Sequence, residues 1–202
     1  PAISEDGKVV VVFNGEIFNY LELRKKLESM GYIFKNGSEV EVLLKLYLQQ
    51  GPSMSKMLNG QFAIAIWDGR TRALHLIRDP FGIRPLYWWS QGDTLVFGSE
   101  IKGLKDVVPT SRYIDHMSLS CWSYCGLNVT KNTFFRGIYK IMPGETIEYN
   151  LKTKKLTSIK RDLIIGGKGK NYNKEEFIEI FDQSIIQSLI GKRDFGIFLS
   201  GG

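Results

Sequence analysis

The sequence Phe62-Ala-Ile-Ala-Ile-Trp67, then Asp68-Gly69, then Arg72-Ala-Leu-His-Leu-Ile77 predicts two antiparallel strands joined by a turn. Each apolar run is six residues long, which is an ordinary length for a strand and short for a helix. Asp-Gly is a common two-residue turn, and a longer turn fits the spacing as well. We therefore expect a β-hairpin here and place the other elements around it.

Helix and strand signals alternate on both sides of this hairpin. Residues 8–13 hold four valines and a phenylalanine between two turn signals, which predicts a buried strand. Residues 20–30 and the stretch from Ser38 to Gly51 are predicted helices, the second with a capping box formed by Ser38 and Glu41. Further strands are predicted at residues 86–89, 94–97, 118–124 and 145–149. A strand, two helices and a meander of antiparallel strands together indicate an α+β fold.

The net charge of +6 comes from one part of the 202-residue chain. Residues 150–175 contain eight basic and two acidic residues, so the rest of the chain is balanced at 19 of each. This window lacks interleaved aromatic residues apart from Tyr172, and it includes a glycine-rich run. We interpret residues 150–173 as a solvated linker between a first domain, residues 1–149, and a second, residues 174–202, and we expect no nucleic-acid partner.

Several classes of protein are excluded by the composition. No apolar run approaches the roughly 20 residues of a membrane span, and no secretory signal is visible. We therefore expect a cytoplasmic protein without a membrane partner. Cys121 and Cys125 are too few for a disulfide framework, and together with His75 and His116 they make a poor metal site. We expect no metal there, and we interpret both cysteines as half-buried thiols on a strand face.

The last 30 residues differ in pattern from the rest. Asn173 is placed to cap a helix with apolar residues at helical spacing, and residues 195–199 follow as an apolar strand. A helix, a buried strand and a glycine pair are typical of the start of an α/β nucleotide-binding unit. Leu199, Ser200, Gly201 and Gly202 could direct backbone N–H groups at phosphate oxygens, or they could form an ordinary turn. Because the sequence begins with Pro1 and stops in these glycines, we expect a segment of a longer protein.

Two short motifs carry possible chemistry in the first domain. Asn14-Gly15-Glu16 follows the first predicted strand, and an Asn amide and a Gly N–H are donors suited to an oxyanion. Asn-Gly alone is also an ordinary turn. Glu39 lies in the first turn of a predicted helix, where it could bind a cationic amino group or simply favour the helix dipole.

The segment Arg78-Asp79-Pro80-Phe81-Gly82-Ile83-Arg84-Pro85-Leu86-Tyr87 joins two predicted strands. It is dense in turn formers and fixed charges, which predicts an ordered loop in which Arg78 and Asp79 have structural roles.

In combination, these blocks resemble the glutamine-dependent asparagine synthetases over almost the whole chain. The segments that carry the resemblance are Val11-Val12-Phe13-Asn14-Gly15-Glu16-Ile17-Phe18-Asn19-Tyr20, Arg78 to Tyr87, Ser99-Glu100-Ile101-Lys102-Gly103-Leu104, Phe134 to Ile138 with Met142-Pro143-Gly144-Glu145, and Gly196-Ile197-Phe198-Leu199-Ser200-Gly201-Gly202. The resemblance implies a four-layer αββα N-terminal-nucleophile glutaminase fold. This domain would be followed by the first helix and strand of an α/β ATP-pyrophosphatase-like domain.

The resemblance also implies an activity and residue roles. In this family an N-terminal cysteine attacks the glutamine amide, and the released ammonia is used with ATP to convert aspartate to asparagine through an aspartyl-adenylate. Asn14 and Gly15 would form the oxyanion hole, and Glu16 and Glu39 would help to hold glutamine. The ATP site, with Mg²⁺, would begin at Leu199, Ser200, Gly201 and Gly202. The implied partners are glutamine, aspartate and ATP, with a homodimer as a further expectation.

Two positions depart from the family pattern. Pro1 stands first, so no cysteine nucleophile is present there, and these residues alone are not expected to hydrolyse glutamine. Glu39 replaces an aspartate, and its extra methylene shifts the carboxylate by about an ångström. A β-lactam-synthetase-like enzyme, with another acceptor or a silent glutaminase, therefore remains the alternative. A glutaminase domain of a phosphoribosyl-pyrophosphate amidotransferase shares the Arg78 block but not the ending.

Overall fold

The secondary structure comes from a computed structural model that describes residues 1–160, 173–189 and 196. The strands of this part are β1 (Ala2–Ile3), β2 (Val9–Ile17), β3 (Gly60–Asp68), β4 (Ala73–Arg78), β5 (Tyr87–Gln91), β6 (Thr94–Gly98), β7 (Tyr139–Lys140), β8 (Glu145–Asn150) and β9 (Lys155–Lys160). The α-helices are α1 (Tyr20–Ser29), α2 (Glu39–Gln50), α3 (Ile101–Lys105), α4 (His116–Cys125) and α5 (Lys174–Ser188), and short 3₁₀ helices span Gly51–Met57 and Pro109–Arg112.

The predicted hairpin lies inside an antiparallel sheet of order β1-β2-β3-β4-β8-β9. Strand β3 pairs with β4 from Ala63↔Arg78 to Asp68↔Ala73, so the turn spans residues 69–72 and is longer than two residues. On its other edge β3 pairs with β2 over nine residues. The central strand β3 is therefore hydrogen-bonded on both sides, which agrees with its nearly unbroken apolar sequence.

A second antiparallel sheet, of order β6-β5-β7, packs face to face on the first. The core between the sheets is small and apolar. It consists of Ala63, Ala65, Leu76, Leu86, Ile141 and Ile147, with Leu74, Trp88 and Leu95 packed against it. Alternation along β3 and β4 directs one set of side chains into this core and the other set to the opposite face.

Helices cover the outer faces of both sheets. Leucines of α1 and α2 pack with Ile64 and Ile66 on the outer face of the first sheet. Leu104 of α3 and Val108 pack with Trp89 of β5 on the outer face of the second sheet. The layers run helix, sheet, sheet, helix, so the predicted four-layer αββα architecture is confirmed.

The predicted strand at residues 118–124 is wrong, because these residues lie in helix α4. Asp115 begins this helix by accepting the Ser118 N–H at 2.8 Å, and Gly126 ends it in the left-handed conformation. Cys121 is half-buried and Cys125 is exposed on this helix, so the strand-face interpretation of the two thiols is wrong as well.

The predicted capping box at the start of α2 also does not form. Ser38 makes no side-chain cap and instead donates its hydroxyl to Asn36 Oδ1 at 2.5 Å. The Glu41 carboxylate accepts the N–H groups of Lys35 at 2.8 Å and Asn36 at 3.0 Å. Glu41 therefore fixes the loop that enters the helix, and the first turn of α2 has no side-chain cap from Ser38.

The basic window is not a linker throughout. Its residues 155–160 form β9, which pairs with β8 from Glu145↔Lys160 to Asn150↔Lys155. The first domain therefore extends beyond residue 149, and the chain divides into units of residues 1–163 and 164–202. Residues 161–172 of the predicted linker lie outside the described residues.

The second unit contains helix α5. Asn173 accepts the Glu176 N–H at 3.1 Å, so the predicted N-cap is confirmed. The predicted strand at 195–199 and the glycine pair lie outside the described residues, apart from Gly196. No helix in the described ranges has the length and apolar character needed to cross a membrane.

Candidate active site

Asn14, Gly15 and Glu16 belong to β2 and do not form a turn. The pairing with β3 continues through Gly15↔Phe62 and Glu16↔Gln61 to Ile17↔Gly60. The interpretation of Asn14-Gly15 as an ordinary turn is therefore wrong. The pair instead lies in extended backbone, held in register by a central strand.

Gly15 is required by a close approach of β2 and β3. Its φ is +141°, and a Cβ built there would lie 2.0 Å from the carbonyl oxygen of Gln61. On the facing strand, Gly60 has φ +155°, and its Cβ would lie 2.2 Å from the Glu16 carbonyl oxygen. Since real Cβ atoms do not approach so closely, both strands depend on glycine at this end of the ladder.

The Asn14 side chain is exposed and links the two sheets. Its Nδ2 donates to Ser99 Oγ at 3.1 Å, and Ser99 directly follows β6. A primary amide has two N–H groups, so this hydrogen bond leaves the second N–H available to an oxygen of a bound molecule.

A cleft of about 170 Å³ opens beside Asn14 between the two sheets. Ala63, Leu86 and Phe97 give it apolar walls, and Asn14 and Ser99 line it with polar groups. A small apolar cleft with a few polar groups that converge is the usual form of a small-molecule site.

Glu39 joins this site from helix α2. Its Oε2 accepts the Ile17 N–H at 3.4 Å, at the end of β2. Burial raises the pKa of Glu39, and the negative charge of Glu16 adds to this rise, while the Ile17 N–H opposes it. Two neighbouring carboxylates, one of them half-buried and poorly supplied with donors, favour a cationic ligand group between them.

The loop after β4 supports the facing strand. Asp79 is fully buried, and its carboxylate accepts the N–H groups of Phe81 at 3.1 Å, Ile83 at 2.9 Å and Arg84 at 2.9 Å. The Asp79 N–H donates to the Phe62 carbonyl at 2.9 Å. Phe62 is the residue opposite Gly15, so this loop holds β3 in place where the candidate oxyanion donors lie.

Arg78 links the same loop to the segment that contains Ile141. Its guanidinium donates to the carbonyls of Arg84 at 2.8 Å, Gly82 at 2.7 Å and Ile141 at 2.5 Å. Burial lowers the pKa of Arg78, although the Asp79 charge opposes that change. The prediction of an ordered loop with structural roles for Arg78 and Asp79 is confirmed.

The structure places Asn14, Gly15 and Glu16 in succession on β2, and it places Glu39 beside Ile17 at the end of that strand. Ser99 was missed as an individual residue, because the sequence showed it only within a longer block and 85 positions from Asn14. Leu199, Ser200, Gly201 and Gly202, predicted to begin an ATP site, lie outside the described residues. No cysteine lines the cleft beside Asn14. Within the described ranges no three His, Cys, Asp or Glu side chains are grouped so as to hold a metal ion.

Two facing antiparallel sheets between helix layers, with a cleft beside the paired Asn14 and Gly15, make up the four-layer fold that carries this candidate site. Residues 1–160 match the family described as the glutamine amidotransferase domain, and the chain belongs to that family.

Named relatives agree with this assignment. The chain is 32% identical to asparagine synthetase (glutamine-hydrolysing) 2 of Bacillus subtilis, over 100% of this chain and 29% of the relative. It is 38% identical to asparagine synthetase (glutamine-hydrolysing) 1 of the same organism, over 71% of this chain and 23% of the relative. The chain therefore spans less than a third of the length of either relative.

A solved structure supports the fold. Glutamine phosphoribosylpyrophosphate amidotransferase from Bacillus subtilis superimposes with a TM-score of 0.52 at 23% identity, covering 79% of this chain and 30% of that one.

Proposed function

We propose that residues 1–160 form the glutaminase part of an enzyme that uses glutamine as its amide donor. The observation that carries this proposal is the grouping at the end of β2. Asn14 and Gly15 offer two N–H donors, Glu16 offers a carboxylate on the same strand, and Glu39 offers a second carboxylate beside Ile17. Donors of this kind stabilise the oxyanion of acyl transfer, and paired carboxylates hold the α-ammonium group of an amino acid.

In the proposed reaction a cysteine thiolate attacks the side-chain carbonyl of glutamine. The carbonyl oxygen becomes negatively charged and receives N–H groups from Asn14 and Gly15. Collapse of this intermediate breaks the C–N bond, releases ammonia and leaves a thioester that water hydrolyses to glutamate. No cysteine lines this cleft, so the roles proposed for the described residues are glutamine binding and oxyanion stabilisation.

We further propose that the whole protein uses this ammonia to amidate aspartate. The similarity to two asparagine synthetases supports aspartate as the acceptor. ATP, bound with Mg²⁺, would activate the acceptor carboxylate as an acyl-adenylate. Leu199, Ser200, Gly201 and Gly202 are the proposed start of the ATP site. A homodimer and a cytoplasmic location stay predictions.

One observation favours a second candidate function. Glu39 stands where the family pattern has aspartate, and its carboxylate is partly engaged by the Ile17 N–H. A misplaced carboxylate would weaken glutamine binding and fits a silent glutaminase or a different acceptor, as in β-lactam-synthetase-like enzymes.

The test is an assay of the intact protein with glutamine, aspartate, Mg²⁺ and ATP, in which glutamate and asparagine are measured together. Equal amounts of both products are expected. Glutamate without asparagine would support the glutaminase function and indicate an acceptor other than aspartate. Asparagine formed only from added ammonium would show a silent glutaminase. Neither product, from folded protein, would contradict the proposal.

A further inference from the structure

A second cleft lies on the opposite face of the six-stranded sheet from Asn14. Its volume is about 290 Å³. One wall is formed by the end of α2 and the following 3₁₀ helix, and the other by β3, β4 and β8. The polar lining that matters consists of Tyr47, Asp68, Arg70, His75 and Glu148.

Asp68 and Arg70 satisfy each other in this cleft. Arg70 donates from Nε at 2.9 Å and Nη2 at 2.6 Å, and its backbone N–H adds a bond at 2.9 Å. The Tyr47 hydroxyl donates to Asp68 Oδ2 at 3.1 Å. With four donors on one carboxylate, Asp68 has no unmet demand for a ligand.

The side chains of His75 and Glu148, in contrast to Asp68, lack close hydrogen-bond partners among the described residues. His75 is 3% exposed, and its Nδ1 is buried without a hydrogen-bond partner among the described residues. Glu148 Oε2 lies 3.7 Å from this nitrogen, which is beyond hydrogen-bond distance. The ring packs against Tyr47 with centroids 5.6 Å apart, so it is held in place.

The protonation state of His75 determines which ligand group can bind next to His75 and Glu148. Burial lowers the pKa of His75, while the negative charges of Glu148 and Asp68 oppose that change. The imidazole is therefore neutral at pH 7, and the tautomer with its proton on Nε2 presents an Nδ1 lone pair beside the Glu148 carboxylate. The groups that face it are Tyr47, Asp68, Arg70 and Glu148, and of these only Glu148 has its charge uncompensated by a close partner.

With the ring proton on Nε2, Nδ1 and the Glu148 carboxylate are both acceptors, and a donor with at least two N–H or O–H groups can bridge them. A water molecule would supply donors and leave the Glu148 charge unbalanced. An ammonium group supplies three donors and the opposite charge. Leu48, Pro52 and Ala73 give a short alkyl chain an apolar surface, and Gly51 and Thr71 complete the lining.

We propose that this cleft binds a primary alkylammonium group, whose N–H donors bridge His75 Nδ1 and the Glu148 carboxylate. The group belongs either to a free small amine or to a lysine side chain of another protein, since both carry the same chemistry. The site is separate from the glutaminase cleft and does not depend on its proposed function.

The experiment is a titration of the full 202-residue chain, labelled with nitrogen-15 in its histidine rings, with n-butylammonium. A saturable shift of the His75 ring nitrogens is expected, with a dissociation constant of about 1 mM for so small a ligand. The exposed His116 is an internal control and should not shift. n-Butanol, which lacks the charge, and tetramethylammonium, which lacks N–H donors, should leave His75 unchanged.

Glu148→Gln keeps the shape of the side chain and removes its charge. Its affinity for n-butylammonium should fall by about tenfold or more, while the exposed control Glu22→Gln should bind as the unmodified chain does. An unchanged near-ultraviolet circular dichroism spectrum checks that Glu148→Gln remains folded. Binding of Nα-acetyl-lysinamide as well as n-butylammonium would admit a protein lysine as the source, and binding of n-butylammonium alone would assign the cleft to free amines.

The ligand series on the unmodified chain is decisive whether or not the variant folds. An absence of any His75 shift up to about 50 mM n-butylammonium would mean a site filled by water only and would overturn the proposal. An equal shift with n-butanol, or undiminished affinity in folded Glu148→Gln, would overturn it too.

Discussion

The two ends of the β2–β3 ladder carry carboxylates in opposite conditions. At one end, where Val9 pairs with Asp68, the Asp68 carboxylate accepts four hydrogen bonds and is 2% exposed. At the other end, Glu39 is half-buried and accepts a long bond of 3.4 Å from Ile17. The pKa of Asp68 is lowered to about 2 by its Arg70 hydrogen bonds, whereas burial raises the pKa of Glu39.

This difference separates an acid that stabilises the fold from an acid that is prepared for a ligand. A carboxylate surrounded by donors gains nothing from a further cation. A carboxylate taken partly out of water beside another negative charge gains a great deal from one. The end of the ladder that carries Glu39 is also the end where glycines bring the strands together, and it is there that binding is expected.

The largest effect is expected from Gly15→Ala at the binding end. The new Cβ would meet the Gln61 carbonyl oxygen at 2.0 Å, so the strands must separate. We expect a loss of about 4 kcal/mol in the free energy of unfolding, measured by urea denaturation. Gly7→Ala is the matched control: Gly7 also has positive φ, but nothing lies within 4 Å of its Cβ position, and the loss should be about 1 kcal/mol. Equal losses in the two variants would contradict the close approach.

The next largest effect on stability is expected from the charge of Asp68. Asp68 has a folded pKa of about 2 against an ordinary value near 4, so its ionised form stabilises the folded state above pH 4. This contribution, about 2 kcal/mol, should disappear as the pH falls from about 4 to about 2. The measurement is the difference in unfolding free energy between the unmodified chain and Asp68→Asn across this range. A difference that does not change with pH would show that Asp68 is held by something other than its charge.

These contrasts also show how far the sequence could predict the structure. The hairpin at residues 62–77 and the helices α1 and α2 were predictable, because their apolar periodicity is local and tertiary packing agrees with it. The strand prediction for helix α4 is wrong because Ser118 and Ser120 alternate with Leu119 and Cys121, as in a strand. The signals that identify the helix are the Asp115 cap and Gly126.

The candidate site was predictable in its members and not in its geometry. Asn14 and Gly15 were identified as oxyanion donors, yet Asn-Gly is a turn in most contexts, and only pairing with β3 keeps it extended. Glu39 was placed correctly at the start of α2, but its contact with Ile17 depends on how the helix packs on the sheet. Ser99 gave no signal of its own, because a contact between distant segments is a property of the folded chain.

Removing the charge of Glu39 is expected to have a smaller effect on the unfolding free energy, and one of opposite sign. Because the folded pKa of Glu39 is raised, its ionisation opposes folding, and this penalty appears as the pH rises past its unfolded value. Glu39→Gln should therefore raise the unfolding free energy at pH 7 by about 0.5 kcal/mol, allowing for solvent screening, and should change nothing at pH 3. Under the proposed glutaminase function, the same variant of the intact protein should raise the KM for glutamine. A loss of stability at pH 7 would make Glu39 a structural acid like Asp68.

The smallest change in stability is expected for Ser99→Ala, a few tenths of a kcal/mol, because the bond from Asn14 is exposed. We expect Ser99 to act as a positioning residue, because it accepts one N–H of Asn14 and so holds the amide whose second N–H is the proposed oxyanion donor. The side-chain amide resonances of Asn14 should therefore shift toward those of a solvated asparagine. Under the proposed glutaminase function, kcat for glutamine hydrolysis by the intact protein should fall about tenfold with little change in KM, since the oxyanion forms only during the reaction. Ser99→Thr, which keeps the hydroxyl, should restore both the resonances and kcat, and failure of this rescue would remove Ser99 from the site.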